Sequence, residues 1–342
     1  MAGEWRWRQR RRRRRRRVGR PLRMQRGRAL AGGRVECPPG EPNAFLFLGL
    51  RLSHERDRGG GVALRALARA FEVARGEAAA SRDALGLGRL FLHAPWLLAS
   101  QSIQVLDPDV ARQPQLPVLV RTELVGLGRV TFELRQTMHT HGDASGAPGP
   151  ALASVSGTYI CTRIVEGEGE HEGEVPADGA AGPPASRSRR AAELPEWFRD
   201  LHRGVPGLDP ALQRRVETGQ GARVLHTHRV LCRASDTDTN GHVNHASFLE
   251  YFLDALSGMT GAGVPPLLSL AGLAPLAPDA VKSATLRYDR EAFAGDALDV
   301  EVTSPSQGVA RMRLVRAGQQ DRPLCLCEVV VVPEGPRALA KL

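Results

Sequence analysis

The segment from Arg233 to Leu256, RASDTDTNGHVNHASFLEYFLDAL, constrains the chain most, because it crowds acid/base side chains into a polar turn between two apolar stretches of different period. Upstream, Val224, His226, His228, Val230 and Cys232 alternate with Leu225, Thr227, Arg229 and Leu231, which is strand-like. Downstream, Phe248, Leu249, Phe252, Leu253 and Leu256 fall on one face of a helix. The local architecture is therefore strand, polar turn, buried helix. Gly241 is expected to let the turn pass close to the helix start without a Cβ, and Asn244 or Ser247 is placed to cap the helix.

A helix start carries unpaired N–H groups and partial positive charge, so it can hold a carbonyl oxygen on which negative charge is developing. Asp238, Asn240 and His242 stand two residues apart just before this helix, and in an extended turn they would line one wall. The N–H groups around Val243 and Asn244 are the expected oxyanion donors, with His245 beside them. A carboxylate, an amide and an imidazole next to such donors suit hydrolysis of an activated acyl group. An Asx-type turn explains some of these residues, but two acids and two histidines within DTDTNGHVNH exceed what a cap requires. Elsewhere, Gly59 to Gly61 lacks the Lys and Ser/Thr of a phosphate loop, and no G-x-S-x-G elbow occurs.

The DTDTNGHVNHASFLEYF run resembles the active-site segment of hotdog-fold thioesterases, and its D-x-N-x-H-V-N portion is most similar to the C-terminal hotdog domain of acyl-ACP thioesterases. That resemblance implies an α+β fold of tandem hotdogs, each a long helix wrapped by an antiparallel sheet. It also implies a glutamate partner in a segment like Tyr288-Asp289-Arg290-Glu291, which makes Glu291 the expected general base. Ala292 stands where plant members have a cysteine, so no thiol acts there. The run is also similar to the 4-hydroxybenzoyl-CoA thioesterase-like group through D-T-D-x-x-G-x-V-x-H-A-S, a mapping that gives Asp238 and His245 more weight.

The net charge of +10 over 342 residues misrepresents the part of the chain that can fold. Residues 1–34 hold 15 Arg and one Glu, which leaves the remainder at −4. With 45 Arg against two Lys, arginine abundance reads as compositional bias rather than a phosphate-binding design. The Arg-rich, acid-poor residues 1–42 cannot bury a core and are expected to be a disordered leader, a transit peptide being one reading of it. A nucleic-acid partner is not expected, since only Trp5 and Trp7 accompany the basic run. The five cysteines lack metal-ligand spacing, so no metal or other cofactor is expected, and a reducing compartment is the economical setting. No apolar run reaches membrane-spanning length. The expected location is intracellular, either cytoplasmic or, with a transit peptide, mitochondrial or plastid.

From Phe45 the order is strand, helix (Val62 to Ala74), then strands, closing at Val155 to Cys161. Residues 166–192 have no periodicity and are expected to be a disordered linker, followed by a helical bridging segment over 193–221. The order then repeats from residue 222, with strands at Val281 to Tyr288, Ala297 to Thr303, Ala310 to Val315 and Leu324 to Val332. A shift of 181 residues lays Asp57 on Asp238, Gly59 on Asn240 and Gly61 on His242. Residues 43–165 are thus expected to be a degenerate hotdog copy and 222–335 the catalytic one.

The function expected is hydrolysis of a fatty acyl thioester, carried by CoA or acyl carrier protein, to free acid and thiol, with a homodimer among the possible assemblies. Two rivals share the fold: a non-catalytic acyl-thioester-binding protein, and an enoyl-thioester hydratase, against which the Asn240 and Glu291 matches count.

Overall fold

The computed structural model describes residues 34–36, 44–51, 64–80, 85–107, 117–141, 148–166, 187–208, 216, 223–238, 241–261, 281–306, 309–319 and 322–331. The elements in the N-terminal half are β1 (Arg34–Glu36), β2 (Ala44–Arg51), α1 (Leu64–Ala80), α2 (Leu87–His93), β3 (Trp96–Val105), β4 (Pro117–Leu127), β5 (Thr131–His141) and β6 (Pro148–Glu166). A connecting stretch carries β7 (Arg187–Ala191) and α3 (Glu196–Leu201). The C-terminal half carries β8 (Val224–Leu231), a 3-10 turn (Ala234–Asp236), α4 (His245–Gly261), β9 (Val281–Tyr288), β10 (Ala297–Ser306), β11 (Val309–Arg316) and β12 (Cys325–Val331).

The strands form one antiparallel sheet in the order β1-β2-β4-β5-β6-β3-β9-β12-β11-β10-β8, with β7 added to β6 off that path. Apart from β1, the order is a palindrome about the β3·β9 seam. β2, β4, β5, β6 and β3 of the first half answer to β8, β10, β11, β12 and β9 of the second. The two long helices repeat the relation, since α1 and α4 each have 17 residues and both of their ends are displaced by the same 181 positions. Arg69 of α1 pairs with Glu250 of α4 at 2.5 Å, and these two are each other's equivalents under that shift. Equivalent residues meet only on a two-fold axis, and the seam pair Ile103 and Ala284 marks the same axis in the sheet.

Both helices lie against one continuous core. Phe71 and Ala74 of α1, Phe252, Ala255 and Met259 of α4, and sheet residues from both halves are buried together. Helix α4 buries Ala246, Phe248, Leu249, Tyr251, Phe252, Ala255, Leu256 and Met259, a wider arc than one amphipathic face.

Two stretches expected to lack structure are strands. Arg34–Glu36, inside the expected leader, pairs with β2, and Arg187–Ala191, at the end of the expected linker, pairs with residues 162–166 of β6. Each completes backbone that would otherwise lie open at an edge. The expected bridge at 193–208 docks on the N-terminal half: Phe198 packs with Leu87, Leu90 and Phe132, and the His202 Nε2 atom lies 3.0 Å from the Leu85 carbonyl. The rest of the expected bridge, residues 209–221, lies outside the described residues except for Val216. No helix among the described residues is long and apolar enough to cross a membrane.

Candidate active site

The turn between β8 and α4 is closed on itself rather than extended. The Gly241 N–H donates to the Asp238 carbonyl at 3.0 Å, and the Asp238 N–H donates to the His242 carbonyl at 2.7 Å. Thr237 faces Val243 in an isolated bridge, and His242 faces Phe293 in another. Gly241 has φ +82, and nothing lies within 4 Å of where its Cβ would be. The glycine is therefore required by the left-handed backbone of a tight turn, not by the close approach expected from sequence.

Asp236, which the sequence reading did not single out, pins this turn. Its carboxylate accepts from the Arg233 N–H at 2.9 Å and the Tyr251 hydroxyl at 2.8 Å, and its carbonyl accepts from the Asn244 N–H at 2.8 Å. Burial alone would raise its pKa, but these donors together with Ser235 hold it below the usual carboxylate value.

Asp238 directs Oδ1 at the His242 N–H, 3.2 Å away. The His242 ring stands edge-on to Phe293 and presents Nδ1 to Glu291 Oε1 at 3.5 Å. Arg189, from β7, approaches the same oxygen at 3.8 Å. Asp238, His242 and Glu291 thus gather at the start of α4, although Glu291 arrives from the loop after β9. Asn240 lies outside the described residues.

Asn244 is the N-cap: its Oδ1 accepts the Ala246 N–H at 2.8 Å, while its carbonyl accepts from Ser247 and Phe248. The oxyanion donors expected at Val243 and Asn244 are committed elsewhere. The Val243 N–H goes to the Ala292 carbonyl at 2.8 Å, which ties the turn to the loop after β9, and the Asn244 N–H goes to the Asp236 carbonyl, which closes the turn on itself. With Ala246 taken by the cap, the His245 N–H, in the first turn of α4, is the donor left without a partner among the described residues. The His245 ring lies against Tyr288 with centroids 4.8 Å apart. Burial, with Arg75 and His242 nearby, pushes its pKa down to about 3, so it is a neutral imidazole at physiological pH.

The sequence reading missed two residues from the other half. Glu72 of α1 accepts from Asn244 Nδ2 at 2.6 Å, and Arg75, buried one turn later, lies over the Tyr159 ring. Burial raises the Glu72 carboxyl above its ordinary value, opposed by Arg75 and by the Asn244 hydrogen bond and reinforced by Asp238. Among the described residues, no cluster of His, Cys, Asp and Glu is arranged to hold a metal ion.

Residues 232–318, which contain the turn, α4 and Glu291, match the family model of the thioesterase-like superfamily. No curated protein matches the chain. Among solved structures, a 12:0-ACP thioesterase of Umbellularia californica shares 12% identity at TM-score 0.57, over 85% of this chain and 98% of that one. A structure assigned as an oleoyl thioesterase, from Lactobacillus plantarum, shares 16% at TM-score 0.55, over 89% and 99%. An acyl-ACP thioesterase of Bacteroides thetaiotaomicron shares 13% at TM-score 0.53, over 84% and 97%. At these identities the likeness is one of fold. That likeness of fold covers most of the chain.

Proposed function

We propose that the protein is a thioester hydrolase built as two hotdog units, about residues 43–165 and 222–335, with its active site at the start of α4. The observation that carries this reading is the convergence of Asp238, His242 and Glu291 on that helix start, inside the segment matched by the thioesterase-like family model. The substrate is an acyl thioester of CoA or an acyl carrier protein, the fatty acyl class being favoured by the names of the solved structures that share the fold.

In this mechanism the thioester oxygen sits at the His245 N–H, where the α4 dipole stabilises the charge that develops on attack. Glu291 and His242, in contact through Nδ1, act as one base unit that removes a proton from the attacking water. Water oxygen bonds to the carbonyl carbon, the C–S bond breaks, and the proton returns to the leaving thiolate, giving acid and thiol. Asp238 acts through its bond to the His242 backbone by fixing the turn that aims the ring. Asn240 positions the carbonyl or the water.

Steady-state hydrolysis of one acyl-CoA and of the matching acyl carrier protein thioester, followed by thiol release, tests this. His242→Ala and Glu291→Gln are each expected to lower kcat about 100-fold, the usual scale for a general base. Thiol release unchanged in both variants would refute the site. A wild-type protein that binds acyl thioester without releasing thiol would make it a binding protein on the same fold. Hydration of an enoyl thioester with the C–S bond intact would make it a hydratase.

A further inference from the structure

The two long helices are related by a shift of 181 residues, yet the residues that correspond at their starts differ in kind. Under the 181-residue relation of α1 and α4, Asn244 answers to Ala63 and His245 to Leu64. The same relation runs in the other direction, from each helix start to the side of the opposite helix. Glu72 answers to Leu253 and Arg75 to Leu256, and both leucines lie in or against the apolar core. The start of α4 is therefore faced by a carboxylate and a guanidinium from the other half, whereas the residues in the equivalent places on α4 are leucines.

Glu72 has no packing reason to stand where it does. It follows Phe71, fully buried, whose carbonyl accepts from Gln136 Nε2 at 3.0 Å, a bond that pegs this turn of α1 to β5. A carboxylate so placed loses hydration and gains in return the Asn244 amide and the cations Arg75 and Arg69 on its own helix, against the like charge of Asp238 across the turn. The Asn244 side chain then joins two groups: Nδ2 is held by Glu72 at 2.6 Å, and Oδ1 caps the Ala246 N–H at 2.8 Å. An amide held at its nitrogen by an acid is a better acceptor at its oxygen, and the rotamer of the cap is fixed.

We propose that Glu72 is a positioning residue of the active site, supplied by the opposite half of the chain, which holds the Asn244 side chain and so sets the start of α4 and the direction of the His245 N–H. The inference rests on the thioesterase reading for its catalytic consequence, though not for the Glu72–Asn244 coupling itself. It also accounts for the asymmetry: the copy opposite the leucines lacks the acid that would organise its helix start.

The test uses the full chain and two variants. Glu72→Gln keeps the shape but removes the charge, and Glu72→Leu installs the residue found at the equivalent position. On one acyl-CoA, Glu72→Leu is expected to lower kcat about 100-fold with a smaller change in KM, the cost of a misplaced reacting geometry. Glu72→Gln is expected to retain more activity and to lose an ionisation from the acid limb of the pH profile. Independently of turnover, the Asn244 side-chain amide resonances of the wild type are expected to shift with pH as Glu72 titrates, and not to do so in Glu72→Gln. Wild-type kcat and pH profile in Glu72→Leu, in a protein that does hydrolyse the thioester, would overturn the inference and leave the function standing. Should the wild type hydrolyse no thioester, the function fails by itself, and pH-independent Asn244 resonances would overturn the coupling as well.

Discussion

At the scale of single residues, the site mixes groups whose environments push their protonation in opposite directions, and this fixes the sign of two pH effects. His245 in the unfolded chain takes a proton below about 6.5, while the folded protein withholds it until about 3. Between those values the unfolded state binds more protons, so stability falls as pH drops through that window. His202 and His226, also lowered by burial, add to the same trend. Glu72 acts the other way: its folded carboxyl is raised above 4.5, so the stability it contributes is present below that pH and is lost as pH rises through the folded value. Denaturant midpoints from pH 7 to pH 4 are expected to fall steadily in the wild type and to fall less in His245→Gln. An equal slope in the two proteins would contradict the assignment. Asp238 and His242 stood out in sequence because they share a turn, and Glu291 only through the resemblance to a Tyr-x-Arg-Glu-like segment; the fold brings the three together. Glu72 did not stand out, since it lies 172 residues from its partner Asn244. The trace it leaves is indirect: Arg75 falls on the buried stripe of α1 that Phe71, Ala74 and Ala78 define, where a charge needs a reason, and the half-buried Glu72 stands one turn before it.

At the scale of elements, strand, turn and helix were readable where period and turn chemistry agree. β9 has the bounds expected of it, and α4 begins two residues after Val243, where Asn244 caps it. β4, which the sequence reading did not single out, buries Val118, Leu119 and Val120 in succession and so opens without a clean alternation. β7 reads RSRRA, a composition that suggests solvated chain, and it is a strand only because the long β6 offers it a partner. The turn before α4 and the helix itself make separable demands. Gly241→Ala places a Cβ in open space but in a left-handed backbone, so it is expected to cost about 1 kcal/mol. Phe252→Ala removes a fully buried ring from the shared core and is expected to cost about 3–5 kcal/mol. Chemical denaturation of both variants checks the pair, and a Gly241→Ala loss as large as that of Phe252→Ala would mean that the turn is tied to the core more tightly than its geometry indicates.

At the scale of the whole molecule, the palindromic strand order makes each half the other's missing partner. β3 and β9 pair from Ser100 to Gln104 against Arg287 to Ser283, and α1 packs with α4 over the same core. A half expressed alone would leave a sheet edge and an apolar helix face open to water. The sequence indicated the duplication through its element order, but Asp57, Gly59 and Gly61, on which the residue alignment leaned, lie outside the described residues. What supports it is the common shift of both helix ends and the contact of the equivalent residues Arg69 and Glu250. The chain around α3 docks on the N-terminal half, so Leu194, Phe198 and His202 go with that half. Produced as a fragment from Val216 onward, the C-terminal half is expected to self-associate through β9, with Leu253 of one copy taking the place of Glu72 beside the other copy's Asn244. Such a dimer would carry Asp238, His242 and Glu291 and yet turn over thioester poorly. Adding the N-terminal fragment should restore turnover, and adding its Glu72→Leu form should not. Light scattering of the fragments gives the assembly and thiol release gives the rate, and full activity in the C-terminal fragment alone would show that the opposite half supplies only a place to pack.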